Sequence, residues 1–262
     1  MLLFELYAEN PNLVAYLGGG NAYGRIGSAV VTRGGSFGDM YTKKWLRDDA
    51  GNLIVSAAGL PIATNDYQSI GSFNPKALLG LSNTLTYKRF SLRVLIDGRA
   101  GGVIIDGTEM NLSFNGITEV TAAHREEGWS LGGVGTDGNP VTQTVTAQQF
   151  WSAGVNSTSG KRYGVGELFA YDATNYRIRE LSIGFDIPVP STFFIKSARF
   201  SLVARNVAWL YRGSSVFDIP GIGKRKMQID PDMSLGNGNF QGIQYGTLPS
   251  TRSIGCNLNL TF

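Results

Sequence analysis

The sequence is poor in the side chains that carry chemistry. It has one histidine, His124, so a histidine-rich metal site or a triad with a second histidine is excluded. It has one cysteine, Cys256, so an internal disulfide is excluded too, and that residue reads as a small apolar side chain in a strand. Charge is scarce: 16% of residues are charged, against about 25% in an average globular chain. The 23 basic and 20 acidic residues are spread along the chain and sum to +3, which does not suggest a nucleic-acid partner. "KRK" at Lys224 to Lys226 reads as a short loop cluster. No apolar run reaches the roughly 18 residues of a transmembrane helix. That leaves membrane barrels open, because their strands are short and only half apolar. The first residues, "MLLFELYAEN", lack the basic start and long apolar core of a signal peptide and read as a strand, with Leu2, Phe4, Leu6 and Ala8 on one face.

Glycine and alternation are abundant instead. The chain has 35 glycines and 42% hydrophobic residues, a composition of many strands and turns. Its last stretch, "RSIGCNLNLTF", alternates without error: Ile254, Cys256, Leu258, Leu260 and Phe262 on one parity, small polar residues and glycine on the other. That is the period of a strand with one apolar face. "ALLGLSNTLTYKRFSLRVLIDG" reads as a hairpin turning at Lys88 and Arg89, with Leu79, Leu81, Leu85 and Tyr87 continued by Phe90, Leu92, Val94 and Ile96. Asn83 interrupts the stripe. An arginine facing lipid at mid-bilayer costs about 2 to 4 kcal/mol, so in a membrane strand Arg93 looks inward.

After Gly98 the pattern dissolves into turn material as far as Tyr171, apart from a helical turn at "TAQQFWSAG" with Thr146 as its N-cap. Strands return at "TNYRIRELSIGFDIP" and "ARFSLVARNVAWLY". In the first, the apolar stripe changes phase near Arg179 and Glu180, which predicts a β-bulge. In the second, Trp209 and Tyr211 fall on the inward parity. Upstream, "GSAVVTRGG" and "FGDMYTKKWLRD" are strand material and "DDAGN" is a turn. Connections alternate between short (88–89, 188–196) and long (99–171, 212–248). Short turns at one side and long loops at the other are the pattern of a transmembrane β-barrel. Tyr87, Phe90, Phe185, Phe193, Phe194 and Phe262 all lie at the short-turn side, where a membrane-interface girdle belongs.

With these residues in view, the sequence resembles the C-terminal part of SusC/RagA-type TonB-dependent outer-membrane transporters of Bacteroidota. The resemblance lies in "IGSFNPKALLGLSNTLTYKRFSL", "YDATNYRIRELSIGFDIP", "SLVARNVAWLY" and "IDPDMSLGNGNFQGIQYGTLPSTRSIGCNLNLTF", together with "FELYAENPNLVAYLGGG". It implies an all-β, antiparallel transmembrane barrel segment, the last strands of a barrel of about 22 with a plugged lumen. The segment would span 1–262, with long extracellular loops at 99–171 and 212–248 and short periplasmic turns. It implies import of oligosaccharides or peptides across the cell outer membrane with a SusD-like surface lipoprotein, energised by TonB through an N-terminal region that precedes these strands. Phe262, with Leu260 and Leu258, would belong to the signal read by the barrel-assembly machinery, and outer-membrane lipid would cover the apolar face. Seven passes are expected: near 2–8, 27–47, 76–87, 90–98, 172–186, 198–211 and the final strand. Bacterial single-chain barrels use even numbers, so this set is expected to need further strands to close. No enzyme activity, cofactor or metal is implied.

Other chemistry is weak. "GVGTDG" at Gly133 to Gly138 fits a dinucleotide fingerprint only if a helix follows, and "NPVTQT" follows instead. Asp230 and Asp232 flank Pro231 as in a turn rather than a calcium site. Trp129, Trp151 and Tyr163, in the longest loop, are the candidates for stacking on a glycan or peptide, against the alternative that they pack the loop on itself. The competing reading of the whole chain is a soluble β-sandwich lectin, in which the apolar faces pack sheet to sheet.

Overall fold

In the computed structural model, residues 14–17, 26–32, 34–158, 161–192, 194–233 and 241–262 are described. The expected first strand at 2–8 lies outside them. The chain divides into two units. A sheet unit comprises 75–101, 174–213 and 249–262, and a loop unit comprises 1–74, 102–173 and 214–248.

The sheet unit is an antiparallel meander of five strands: β1 (Ala77–Tyr87), β2 (Phe90–Ala100), β3 (Asn175–Ile187), β4 (Ser197–Arg212) and β5 (Ser253–Thr261). They pair in sequence order, β1 to β5. The β1–β2 turn is two residues long, with Lys88 at φ 53°, and β3–β4 is joined by 188–196. Both long excursions leave from the other end, after Ala100 and after Arg212.

Register carries the period-two pattern of each strand across the sheet. Leu85, Leu92, Ile183, Leu202 and Cys256 form one row, and Tyr87, Phe90, Phe185, Phe200 and Leu258 another. Between them, Thr86, Ser91, Gly184, Ser201 and Asn257 form a row on the opposite face. One face is therefore apolar and the other polar, because a strand's side chains alternate and the register keeps like with like. Arg93 lies on the polar face, in line with Thr84 and Ser182.

The bulge is where the sequence places it. Ile178 pairs with Ile96 and Glu180 with Leu95, leaving Arg179 as the extra residue. Across the next ladder Ile178 faces Ala208 and Glu180 faces Arg205, so Asn206 and Val207 are also extra, with Asn206 at φ 51°. A further irregularity skips Leu210 and turns Tyr211 toward Tyr176, ring centroids 6.1 Å apart. Sequence parity therefore fails at Tyr211, which joins the apolar face, while Trp209 stays on the polar face opposite Arg177.

The loop unit has its own core, so 99–171 is not the patternless stretch that its sequence suggests. Two short helices, α1 (Gly107–Phe114) and α2 (Ala147–Ala153), and several short strands surround buried Trp45, Phe150, Leu168, Phe169, Phe217 and Ile219. Thr146 caps α2 through a complete capping box with Gln149, as expected. The expected single pass over 27–47 is instead two short strands, Ser28–Thr32 and Asp39–Thr42, paired in a hairpin. Buried Glu167 ties the segment that follows them to the rest of the unit: it accepts from the Trp45 N–H at 2.9 Å and pairs with Arg47 at 3.0 Å. The turn at 48–52 is held by Asp48, which accepts from the backbone and side-chain amides of Asn52.

Candidate functional site

Two features of the molecule are organised beyond what folding needs, one in each unit. In the sheet unit it is the apolar face. Leu81, Ile183 and Leu258 are 62%, 49% and 55% exposed. A sandwich would bury that face, whereas here it is open. Aromatic side chains mark both its ends. Near the short turns, Phe90 and Phe185 sit 4.8 Å apart and Phe194 stacks on Phe262 at 5.9 Å; Phe193 lies outside the described residues. At the other end, Tyr176 lies over Gly98, where a Cβ would come within 2.3 Å of the ring. From Phe90 to Gly98 is roughly 26 Å along the strand, which at the 35–45° tilt of barrel strands rises about 20 Å, most of the apolar band of about 25 Å in membrane barrels.

The polar face carries a ladder of cross-strand ion pairs. Asp97 on β2 accepts from both Arg177 and Arg179 on β3, Arg177 lies 4.8 Å from the Trp209 ring centroid, and Arg179 also reaches Asn206. Glu180 and Arg205 pair at 3.3 Å. Arg199 reaches both Asp186 and the Ser91 hydroxyl. It does so by lying across Gly184, where any Cβ would meet its guanidinium at 2.8 Å.

In the loop unit a cavity of about 560 Å³ opens beside α1. Three chain segments meet at the short strand Val103–Asp106 to form it. Tyr171 arrives on an antiparallel neighbour, opposite Ile104; Gln244 arrives on a parallel one, opposite Asp106. Arg225 is held by reciprocal backbone and hydroxyl bonds to Ser215, which in turn bridges to Tyr171. Asp106 caps α1 by accepting from the Glu109 N–H at 2.9 Å, the usual task of an aspartate there. On the cavity floor Glu109 accepts from the Tyr171 hydroxyl at 2.6 Å and pairs with the Arg225 guanidinium, which also donates to the Leu168 carbonyl. Arg225 lies over the Tyr171 ring at 5.4 Å.

Burial dominates the titration of these groups. It pushes the Asp106 carboxyl up to about 7, with the Glu109 charge adding to the rise and the Glu109 N–H opposing it. Glu109 is also raised by burial, against the pull of Arg225. Tyr171 is raised by burial and then by the adjacent Glu109 carboxylate. The arrangement is a polar floor of hydrogen-bonded donors and acceptors, in which burial holds the carboxyls of Asp106 and Glu109 above the usual carboxylate range.

The residues singled out in the sequence fare differently. Trp129 and Trp151 are 3% and 2% exposed. Trp129 stacks on His124 at 4.9 Å, packs on Phe150 at 4.5 Å and donates to the Pro220 carbonyl at 2.9 Å. Both indoles belong to the core of the loop unit, which favours the alternative that they pack the loop on itself. Tyr163 lies on a short strand, Lys161–Gly164, and its side chain is outside the described residues. His124 pairs with Glu127 at 3.1 Å. Gly133 to Gly138 form a turn closed by Asp137 and Asn139, with "NPVTQT" following and no helix there. Asp230 accepts from the Asp232 N–H within a turn. The "KRK" segment lies in a loop, as read, but the Arg225 side chain turns inward and is only 9% exposed. Asp106, Glu109, Arg225 and Gln244 escape sequence reasoning because they are up to 138 positions apart (244 − 106) and carry no local periodicity; the N-cap pattern at Asp106 was the one available signal.

Among the described residues, no helix is long and apolar enough to cross a membrane. No protein-family model matches the chain. It is 25% identical over 244 residues, 88% of its length, to TonB-dependent receptor P3 of Formosa agariphila, and 26% identical over 209 residues, 77% of its length, to TonB-dependent receptor P26 of the same organism. It spans 21% and 18% of those proteins, about a fifth of their length. Among solved structures it is similar to the RagAB peptide importer in its closed-closed state, with TM-score 0.48, 16% identity, 86% of this chain and 21% of that one. A further structure of the RagAB peptide transporter gives TM-score 0.46 with 16% identity, 86% of this chain and 23% of that one.

Proposed function

We propose that this chain, which is similar in sequence to part of two TonB-dependent receptors, is a SusC/RagA-type segment that forms part of the wall and outer loops of an outer-membrane importer. The observation that carries this reading is the two-faced sheet: five strands whose apolar rows stay in register and lie open, while the opposite face is laced with ion pairs. Lipid would cover the first face and an aqueous lumen the second, since a barrel wall must satisfy its backbone internally while presenting hydrocarbon outward. Tyr87, Phe90, Phe185, Phe194 and Phe262 would lie at the periplasmic interface, and Tyr176 and Tyr211 at the outer one. Leu258, Leu260 and Phe262 would be read by the barrel-assembly machinery.

The finer parts of the reading go with the family. The strands would belong to a closed barrel of about 22, with 99–171 and 212–248 outside the cell. A SusD-like lipoprotein would hand oligosaccharide or peptide to it, and TonB would energise passage. The role is transport, with no chemical step assigned to any residue. The open apolar face counts against a lectin-like sandwich, which would leave its largest apolar surface in water.

The single cysteine offers a direct test. Cys256 lies on the apolar face, in the row of Leu202 and Ile183, and is exposed. A nitroxide attached there in membrane-reconstituted protein should collide readily with dissolved oxygen and rarely with a water-soluble paramagnetic chelate. Moving the cysteine one residue, with Cys256→Ser and Asn257→Cys, should reverse the preference. The opposite pattern at Cys256 would overturn the proposal.

A further inference from the structure

The two ends of the sheet differ in charge. At one end the turns 88–89 and 188–196 carry Lys88, Arg89 and Lys196 and no acidic residue. The excursions that leave from the other end, through 102–173 and 214–248, carry 11 acidic residues against 6 basic ones. Lys88, Arg89 and Lys196 are exposed, and among the described residues none of the three forms an ion pair. The neighbouring carboxylate, Asp186, is taken by Arg199, which faces it across the ladder on the polar side. Folding thus leaves three cations at the short-turn rim without counter-charge. Each of them stands beside an aromatic ring at the foot of the apolar face. The Lys88 ammonium lies 5.3 Å from the Tyr87 ring centroid. Arg89 precedes Phe90, which sits 4.8 Å from Phe185. Lys196 comes two residues after Phe194, whose ring stacks on Phe262, and its N–H donates to the Thr261 carbonyl at 2.7 Å. Aromatic rings in such a belt sit at headgroup depth, and long cationic side chains next to them hold their charge at the same level.

We infer that the short-turn rim binds the headgroups of anionic phospholipids through Lys88, Arg89 and Lys196. A phosphodiester supplies the charge that these side chains lack, at the depth that the rings set. Its acyl chains then run along the apolar rows that begin there. Free phosphate is a poorer occupant, because it needs donors that converge on one point. The turns β1–β2 and β3–β4 stand two strand spacings apart, roughly 10 Å, which suits a row of neighbouring headgroups. The inference rests on the proposed membrane wall and adds which lipid meets its foot.

The test uses the full chain reconstituted in phosphatidylcholine vesicles that contain a trace of spin-labelled phosphatidylglycerol or, in parallel, spin-labelled phosphatidylcholine. The immobilised fraction of each spectrum gives that lipid's association with the protein. Phosphatidylglycerol should be favoured about threefold at low salt. The preference should fall toward one between about 0.01 M and 1 M salt, as the screening length drops from about 30 to about 3 Å. Lys88→Gln, Arg89→Gln and Lys196→Gln together should remove it, whereas Lys76→Gln with Arg252→Gln, at the other end of the strands, should leave it near the parent value. If the triple variant does not insert, Lys196→Gln alone should still lower it. Inorganic phosphate should compete no better than chloride at equal ionic strength. The inference is overturned by equal association of the two lipids, by a preference that survives the rim substitutions, by its loss in the Lys76 and Arg252 variant, or by specific competition from inorganic phosphate. Immobilised lipid of both kinds without a preference refutes the headgroup site and leaves the wall standing. No immobilised lipid of either kind refutes the wall itself, as the opposite pattern at Cys256 would, so the two failures are distinguishable.

Discussion

Asp106 carries two demands that oppose each other. Its carboxylate caps α1, and capping favours the charged form, yet its burial penalises that form and lifts its titration from 3.8 to about 7. The sign of the pH effect follows. A carboxyl raised in the folded state binds protons more tightly there than in the unfolded chain, so stability is highest below about pH 4, falls as pH rises toward 7, and is flat above. With about 1.4 kcal/mol per pKa unit, the ceiling on this loss is on the order of 4 kcal/mol for the shift to about 7. Hydrogen exchange of the α1 amides, Glu109 to Ser113, should therefore be slower at pH 5 than at pH 8 after correction for intrinsic rates. Asp106→Asn keeps an oxygen for the cap and should flatten that dependence. A slope that survives the substitution would move the effect to Glu109, which is raised in the same direction. Trp129 is a simpler case: its indole is an anchor of the loop core, and Trp129→Ala should cost about 3 to 5 kcal/mol in the thermal unfolding of that unit.

At the scale of elements, the strands of the sheet are specified face by face. Ile183 and Ser182 are neighbours in β3, yet they lie in rows of opposite character: Leu92 and Leu202 flank the first, Arg93 and Val203 the second. An arginine on the lipid side of a barrel costs about 2 to 4 kcal/mol near the midplane, while lumen substitutions are tolerated. Ile183→Arg should sharply lower the membrane-inserted fraction in a flotation assay, and Ser182→Arg should leave it near the parent level. Equal effects would mean that the two faces meet the same medium. The bulge at Arg179 makes this arrangement possible. Were Arg179 paired in regular register rather than bulged, the apolar parity of Tyr176 and Ile178 would continue onto Glu180, and a charge would enter the apolar rows.

For the whole molecule, the two ends of the meander matter most. Among the described strands, β1 and β5 each have one neighbour, so each presents an unpaired edge beside an open apolar face. Unpaired edges and apolar faces are both association sites in water. The purified chain should therefore be polydisperse by analytical ultracentrifugation in detergent-free buffer and become monodisperse, with its strand signal retained, in micelles. A stable monomer in plain buffer would contradict the membrane reading as a whole.

The sheet was legible in the sequence because each of its strands writes its own two faces into adjacent residues. Alternation located all five strands, and the change of phase at Arg179 and Glu180 located the bulge. The turn at Asp48 and the cap at Thr146 were legible for the same reason, since their partners lie within four positions. What the sequence could not convey was pairing over distance: Tyr211 crossing to the apolar face at an irregularity near Leu210, Trp129 and Trp151 turning into a core, and Arg225 leaving a basic cluster to meet Glu109, 116 residues away. Local periodicity fixed which face each strand residue takes. Only the folding of distant segments onto Val103–Asp106 decided where the cavity is, because a hydrogen bond between far residues leaves no trace in the order of either one's neighbours.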